Sequence, residues 1–326
     1  MRVADRLRSR EASWRELDAL LDQLTRRLPP AERAARVIRL GELYRAACTD
    51  LMLAETHALP RDTVIYLHAL VGRAHNAVYR AQGFRFRDWA KALFETAPRR
   101  LRSDPALRIS AAVFFGSFLL CALLAAGRPG FAATLLGESM LEQMEQMYAE
   151  PFSADREDGQ TRNDTLMAGY YINHNTTIGL QCFAFGLLFG LGTLYILLSN
   201  GALLGAVFGA MATTSYALNF FQFVTAHAPF ELTAIVFAGA AGLRFGYGLV
   251  DTKGQTRLAS LRREAGNALP TLGASVVLFF LAAFLEGYVS ASAMPYSAKA
   301  TIAVCCAGLL IAYLTLGGRR SIATAV

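Results

Sequence analysis

Long apolar runs separated by short polar breaks fill the chain after Leu107. A transmembrane helix needs about 20 mostly apolar residues to cross a hydrocarbon core of roughly 30 Å. Six segments meet this requirement, namely 107–127, 172–198, 202–224, 230–250, 270–289 and 298–316. The pattern therefore predicts a bundle of about six transmembrane helices.

The third segment is the most polar of the six. Its second half contains Thr213, Thr214, Ser215, Tyr216, Asn219 and Gln222. Because of these residues, the segment either crosses the membrane fully or re-enters it. The dipeptide Asn200-Gly201 precedes the segment and is typical of a tight turn. We therefore predict a turn between the second and third spans.

The first 104 residues show a different pattern. Apolar residues recur at helical spacing in 14–28, 31–58 and 61–81, and prolines separate these stretches. Just before the first span, aromatic residues alternate with Arg85, Arg87 and Lys91. This segment is either an amphipathic helix on an anionic membrane surface or one more packed helix. The sequence predicts an all-α chain with a helical head, 1–104, and a membrane domain, 105–320.

Composition and charge support this division and suggest an orientation. The chain is 54% hydrophobic and 17% charged, which is too apolar for a soluble protein of 326 residues. Residues 1–104 carry 20 of the 32 Lys and Arg, while the 128–171 loop has eight acids and three arginines. By the positive-inside rule, six spans place both termini in the cytoplasm and the loop outside. No signal peptide is expected, because the early arginines precede no sufficiently long apolar stretch.

A group of polar residues is predicted to converge at one depth, toward the outer leaflet. It comprises Asn173, His174, Asn175, Asn219, Gln222, His227, Glu231 and Glu286. A charge at the centre of a bilayer costs about 2.5–3.5 kcal/mol, so the two acids require an explanation. Either Glu231 complements a helix N-terminus and Glu286 is interfacial, or both face a polar cavity that binds a proton or cation.

Glycines four residues apart recur in three of the spans. They are Gly186, Gly190, Gly201, Gly205, Gly209, Gly242 and Gly246. Small residues at this spacing let helix backbones approach closely in lipid. We interpret them as packing faces, either inside the bundle or between protomers of a homo-oligomer.

The sequence contains no pattern that predicts enzyme chemistry. It lacks a nucleophile elbow, a P-loop and an HExxH motif, and its five histidines do not pair at metal-ligand spacing. Its five cysteines include no CxxC pair, so no catalytic, metal or cofactor site is predicted. The net charge of +7 lies where anionic lipid and the positive-inside rule favour it, so we expect no nucleic-acid partner.

Several stretches together resemble the stage II sporulation protein M family of bacterial membrane proteins. In the membrane domain they are Asn173 through Gly209, His227-Ala-Pro-Phe-Glu231 leading to Gly242, and Ala283-Phe-Leu-Glu286-Gly. In the head, Tyr44-Arg45, Asp50-Leu51 and Arg73-Ala-His75 resemble the non-sporulation members. The chain departs from the pattern at Ala228-Pro229, where a glycine is expected after the histidine.

The resemblance implies a bacterial cytoplasmic-membrane protein without established enzyme activity. The sporulation member resembles a scaffold for cell-wall hydrolases, while members with this head are associated with MoxR-type ATPases. The leading hypothesis is a non-catalytic scaffold with membrane or envelope partners, which presents its head to the cytoplasm. The rival hypothesis is a small channel or transporter whose outer polar cluster, around Glu231 and Glu286, passes an ion or small solute.

Overall fold

The computed structural model describes residues 9–23, 30–78, 86–128, 130–149 and 175–319, and these residues form helices and turns without a strand. By their contacts they divide into two compact units, Met1–Arg85 and Phe86–Val326. The predicted all-α fold is confirmed.

Among the described residues of the first unit, three helices surround a core of their own. They are α1 (Glu11–Gln23), α2 (Pro30–Thr56) and α3 (Arg61–Val78). Buried leucines from each helix meet in this core, among them Leu17, Leu40 and Leu67. Each helix thus buries one apolar face, as the helical spacing predicts. The core is that of a small helical bundle.

Polar contacts join the same three helices. Asp50 on α2 is fully buried, and Trp14 Nε1 donates a hydrogen bond of 2.8 Å to its Oδ2 atom. The Arg10 guanidinium lies 3.0 Å from the same oxygen. A buried carboxylate requires such partners, because leaving water unpaired is costly. Tyr44 Oη and His75 Nδ1 lie 3.0 Å apart, which connects two motifs of the family resemblance.

The residues before the first long helix belong by contact to the second unit. They form α4 (Phe86–Lys91), a π-helical turn (Ala92–Thr96) and α5 (Ala97–Ser103). Arg102 Nη1 donates to the carbonyls of Leu314 and Gly317 at 2.8 and 2.7 Å. Tyr313 Oη donates to Leu93 O at 2.8 Å. Cations are favoured at helix C-termini, where the last carbonyls lack partners. The sequence pattern assigns this segment to the head, 1–104, whereas these contacts attach it to the helix that contains Tyr313.

Three aromatic side chains of this segment stay exposed, namely Phe86, Trp89 and Phe94. Exposed rings beside Lys91 are what an interfacial helix presents to lipid. These side chains are compatible with the predicted position on a membrane surface.

Five helices among the described residues are long and apolar enough to cross a membrane. They are α6 (Pro105–Gly127), α10 (Leu191–Met211), α12 (Ala228–Val250), α13 (Arg257–Leu285, continued by a π-helical turn, Glu286–Ser290) and α14 (Tyr296–Leu316). Shorter helices lie between them, namely α7 (Phe131–Leu136), α8 (Glu138–Tyr148), α9 (175–184) and α11 (Ala217–Val224). Outward apolar residues such as Leu123 and Val304 are exposed, as expected for surfaces that lipid covers. The predicted polytopic membrane bundle is confirmed.

Helices α6 and α10 run parallel and touch through their backbones. A methyl group on each of three α10 glycines would collide with a carbonyl oxygen of α6. The pairs are Gly201 with Phe114, Gly205 with Phe118 and Gly209 with Ala122. Because both series of numbers rise together, the two helices point the same way. The chain between them must therefore return across the bundle.

The last part of this return is the stretch 175–190. It begins at Asn175, beside Glu231 of α12, and ends at Gly190, next to Gly246 near the other end of that helix. After α9 the chain turns through Phe189 and Gly190, whose φ angles are 56° and 84°. The boundary predicted for the second span, 172–198, is therefore wrong, because α10 begins at Leu191.

The predicted turn at Asn200-Gly201 is also wrong. Both residues lie inside α10, where Asn200 Nδ2 donates to Ile196 O at 2.8 Å. Glycine stands at position 201 because α6 approaches closely there, and not because a positive φ is needed. The polar stretch that begins at Thr213 forms the turn after α10, so the predicted third span, 202–224, combines two helices and that turn.

Helix α12 occupies the centre of the second unit and is its most buried long helix. Serines of its neighbours donate to its carbonyls: Ser110 Oγ to Val236 O and Ser275 Oγ to Ala234 O, each at 2.7 Å. Interhelical hydrogen bonds and small residues hold membrane helices together, since apolar burial does not drive their association in lipid. Antiparallel neighbours α6 and α13 thus fix the position of α12.

Candidate functional site

The start of α12 places His227 and Glu231 on one face. His227 caps the helix, Pro229 stands in its first turn, and Glu231 follows His227 by four residues. Side chains four residues apart are neighbours on a helix, and His227 Nε2 lies 3.4 Å from Glu231 Oε2. Proline is tolerated at the beginning of a helix, and the carboxylate complements the helix dipole there. This geometry agrees with the interpretation that Glu231 complements a helix N-terminus.

The helix end lies deep in the bundle. Ser110 of α6 contacts Val236, and α12 runs antiparallel to α6, as the pairing of Arg244 with Asp104 indicates. At about 1.5 Å per residue, Glu231 lies roughly 7.5 Å beyond Val236, opposite the middle of α6. By this count Glu231 lies nearer the middle of α6 than its end, whereas the sequence predicts a position toward the outer leaflet.

Glu286 completes the cluster from a neighbouring helix. It is the first residue of the π-helical turn at the end of α13 and is 7% exposed. Single π-helical turns occur frequently at functional sites. One potential ligand atom from each of His227, Glu231 and Glu286 lies within 4.8 Å of the others. Glu286 Oε2 is buried, and no residue of the described chain offers it a hydrogen bond.

Two residues behind the cluster hold its geometry. His227 Nδ1 lies 2.8 Å from Ser290 Oγ, which fixes the imidazole ring and leaves Nε2 toward the carboxylates. The Lys299 side chain is fully buried, and its Nζ donates to the carbonyls of Ser290 and Ser292, each at 2.8 Å. Lys299 thereby anchors the end of the π-helical turn that carries Glu286.

The remaining predicted residues divide into three groups. Asn175 is 3% exposed, and its side chain lies beside the Glu231 carboxylate. Asn219 points elsewhere, because its Nδ2 donates to Tyr148 O at 2.8 Å, and Gln222 lies on the same short helix without a described bond to the cluster. Asn173 and His174 lie outside the described residues.

Sequence reasoning missed Ser290 and Lys299. A signal for Lys299 was present, since it is the single charged residue in the sequence of α14. A cation inside an apolar span is costly unless it finds partners, so its presence predicts a buried polar contact. Serine carries no comparable signal, because its hydroxyl is tolerated in many membrane helices.

A second polar region lies at the Asp104 end of the bundle. A cavity of about 160 Å³ is lined there by Arg100, Ser103, Asp104, Arg244, Asn267 and Thr271, among others. Arg244 Nε lies 2.7 Å from Glu264 Oε2, and its Nη1 lies 3.3 Å from Asp104 Oδ2. Arg244 is thus paired with two carboxylates, which indicates a structural ion-pair network.

The His227 cluster combines a buried imidazole nitrogen with two carboxylates, of which Glu286 is buried and Glu231 is partly buried. Two neighbouring carboxylates in a medium of low dielectric cannot both be ionised unless a proton or cation compensates them. The arrangement suits the binding of a cation or the sharing of a proton.

Comparison with protein families gives two matches. The model of stage II sporulation protein M matches residues 110–291, which is more than half of the chain and includes His227, Glu231 and Glu286. A domain of unknown function (DUF8413) matches residues 5–80, the head. No curated protein and no solved structure matches the chain. The predicted resemblance is confirmed for the membrane domain.

Proposed function

Because the chain belongs to the stage II sporulation protein M family, we propose that it is a non-catalytic scaffold of a membrane complex at the bacterial cell envelope. The enclosure of its buried cluster supports this proposal most directly. His227 and Glu286 are 3% and 7% exposed, the Glu231 side chain is 20% exposed, and one polar atom of each lies within 4.8 Å of the others. A solute pathway requires access from at least one side, whereas a scaffold requires helices in fixed positions.

The head supports the same proposal. It has its own core, and its surface carries ion pairs such as Arg39 with Glu16 and Arg73 with Asp18 and Asp22. Hydrogen bonding to the Arg39 guanidinium lowers the pKa of Glu16, so this surface pair stays charged at neutral pH. A polar helical unit attached to a membrane bundle is suited to binding soluble partners.

The proposal includes a location and partners. The protein lies in the bacterial cytoplasmic membrane as a multi-pass protein with both termini in the cytoplasm. The arginines near Asp104 then face the cytoplasm, and the acidic 128–171 loop faces the envelope. Partners include other membrane or envelope proteins, a MoxR-type ATPase system and further copies of the chain. The α10 glycines pack inside the bundle and so give no support to an oligomer interface.

Site-specific crosslinking in the native bacterium tests the scaffold proposal. Photoreactive residues at exposed head positions, such as Ile38 and Ile65, should capture defined cytoplasmic proteins. Photoreactive residues at Met140 and Met147, which are exposed in the 128–171 loop, should capture envelope proteins instead. Photoreactive residues at lipid-facing Val304 and Leu309 serve as matched controls. The scaffold proposal fails if head and control positions capture the same proteins.

A second candidate function is the passage of an ion or small solute, which the central depth of the cluster favours. In reconstituted liposomes, flux should depend on Glu231 and Glu286. Replacing both with glutamine should abolish it while insertion is unchanged, and Glu142→Gln, at an exposed position on α8, is the control. Absence of flux, or flux unaffected by the double substitution, excludes this candidate.

A further inference from the structure

We infer that His227, Glu231 and Glu286 bind one divalent transition-metal ion that joins α12 to the end of α13 inside the membrane. The inference goes beyond the scaffold proposal and does not depend on it, since such an ion would fix the helices in any membrane protein of this fold. The donor atoms already lie within 4.8 Å of one another. A tetrahedral ion with bonds of about 2.1 Å holds its donors roughly 3.4 Å apart, so small side-chain rotations complete the site.

The unpartnered oxygen of Glu286 points most directly to a ligand. Glu286 Oε2 is buried and has no hydrogen bond within the described chain, while its neighbours His227 and Glu231 face it. An unpartnered carboxylate oxygen inside a membrane bundle costs several kcal/mol by the usual estimates of burial. A cation coordinated by this oxygen removes that cost.

Charge balance favours a divalent ion. Glu231 and Glu286 together supply two negative charges when a cation compensates them, while the Lys299 ammonium donates to the carbonyls of Ser290 and Ser292. A divalent cation bound by the two carboxylates cancels their two charges, as a medium of low dielectric favours. Neutral imidazole supplies the third ligand.

The donor set selects the kind of metal. Imidazole nitrogen together with carboxylate oxygen suits zinc and similar transition metals, whereas magnesium and calcium prefer oxygen alone. The contact between His227 Nδ1 and Ser290 Oγ resembles the outer-shell contact that orients metal-binding histidines. Asn175, buried beside Glu231, is positioned to supply a fourth oxygen after rotation of its amide group.

Metal binding by the full-length protein in nanodiscs tests the inference. The protein, purified without a polyhistidine tag and stripped with a chelator, should take up one Zn²⁺ per chain and keep it through gel filtration. Cobalt(II) in its place should give the visible absorption of a four- or five-coordinate nitrogen–oxygen site. Zn²⁺ should also raise the thermal unfolding midpoint of the stripped wild-type protein, a readout that does not depend on any variant folding.

Variants separate this site from surface binding. His227→Gln and Glu286→Gln should each weaken Zn²⁺ binding at least 100-fold. Ser290→Ala should weaken it about 10- to 100-fold, because it removes only the contact that orients the imidazole. His68→Gln and Glu142→Gln, at exposed positions, should leave the affinity unchanged.

Three results would overturn the inference. The first is a wild-type protein that binds less than one Zn²⁺ per chain and shows no thermal shift at millimolar Zn²⁺. The second is Zn²⁺ binding by Glu286→Gln with wild-type affinity. The third is a cobalt spectrum that His227→Gln leaves unchanged. A proton shared by the two carboxylates gives the first of these results. None of the measurements involves a partner protein, so the scaffold proposal succeeds or fails separately.

Discussion

Single glycines decide how closely the helices of this bundle approach. At Gly205, an added methyl group would meet the backbone carbonyl of Phe118, which cannot rotate away as a side chain can. At Gly308, on the lipid-facing side of α14, an added methyl group meets no atom within 4 Å. The same substitution therefore has opposite consequences at the two positions.

We expect Gly205→Ala to destabilise the protein by about 1–3 kcal/mol, because α6 and α10 must separate to admit the methyl group. The thermal unfolding midpoint in detergent micelles, followed by circular dichroism, should fall by several degrees. Gly308→Ala is the matched control and should leave the midpoint unchanged or higher, since alanine is the better helix former. Equal midpoints for the two variants would contradict the close packing of α6 against α10.

The same helix, α10, also determines which segments cross the membrane. It runs from Leu191 to Met211 without interruption and carries Asn200 near its middle. The turn that follows contains the exposed residue Thr213, and Gly254 lies in the turn between α12 and α13. Reporters at these three positions distinguish the observed helix from the predicted turn.

Single cysteines at 200, 213 and 254, in a background without the five native cysteines, should react differently with an impermeant maleimide. Thr213→Cys should react from outside the cell, and Gly254→Cys only after permeabilisation, if both termini are cytoplasmic. Asn200→Cys should react under neither condition, because a thiol in hydrocarbon does not ionise to the reactive thiolate. Labelling at position 200 after permeabilisation would instead support a turn at Asn200-Gly201.

The spans that consist of one uninterrupted helix could be predicted from the sequence. The helices and turns between residues 172 and 224 could not. The segments 107–127, 230–250 and 298–316 each lie within two residues of a helix in the structure. Between 172 and 224 hydropathy stays high through a turn at Gly190 and falls only at Thr213. A glycine required for close helix packing and a glycine required for a positive φ cannot be distinguished in a sequence. The sequence therefore predicts a turn at Gly201, whereas the turn lies at Gly190.

The site was predictable in part for a related reason. His227, Glu231 and Glu286 were placed at one depth by counting residues along each span, and they do meet. Asn219 was placed there too, but it belongs to a short helix whose direction the count could not give. Lys299 was overlooked because it stands near the end of its helix, where a cation commonly reaches the headgroups.

At the scale of the whole molecule, the chain combines two units with separate cores. The core residues of the first unit lie between Trp14 and Ala77, and those of the second between Leu93 and Leu314. Since neither core contains residues of the other unit, each unit should keep its structure when the other is damaged. The proposed scaffold role assigns cytoplasmic partners to the first unit and membrane anchoring to the second.

Removal of residues 1–85 should therefore leave a protein that inserts into the membrane with an unchanged cysteine-labelling pattern and a thermal midpoint within a few degrees of wild type. Recovery of cytoplasmic partners should be lost, because the binding surface is gone. Leu67→Asp in the full-length chain is the matched control, because it keeps all residues of the head but should unfold them. Leu67 is fully buried, and a charge there should disrupt the core of the first unit alone. If the truncated protein fails to insert, the membrane unit depends on the head, and the assignment of separate roles to the two units is wrong.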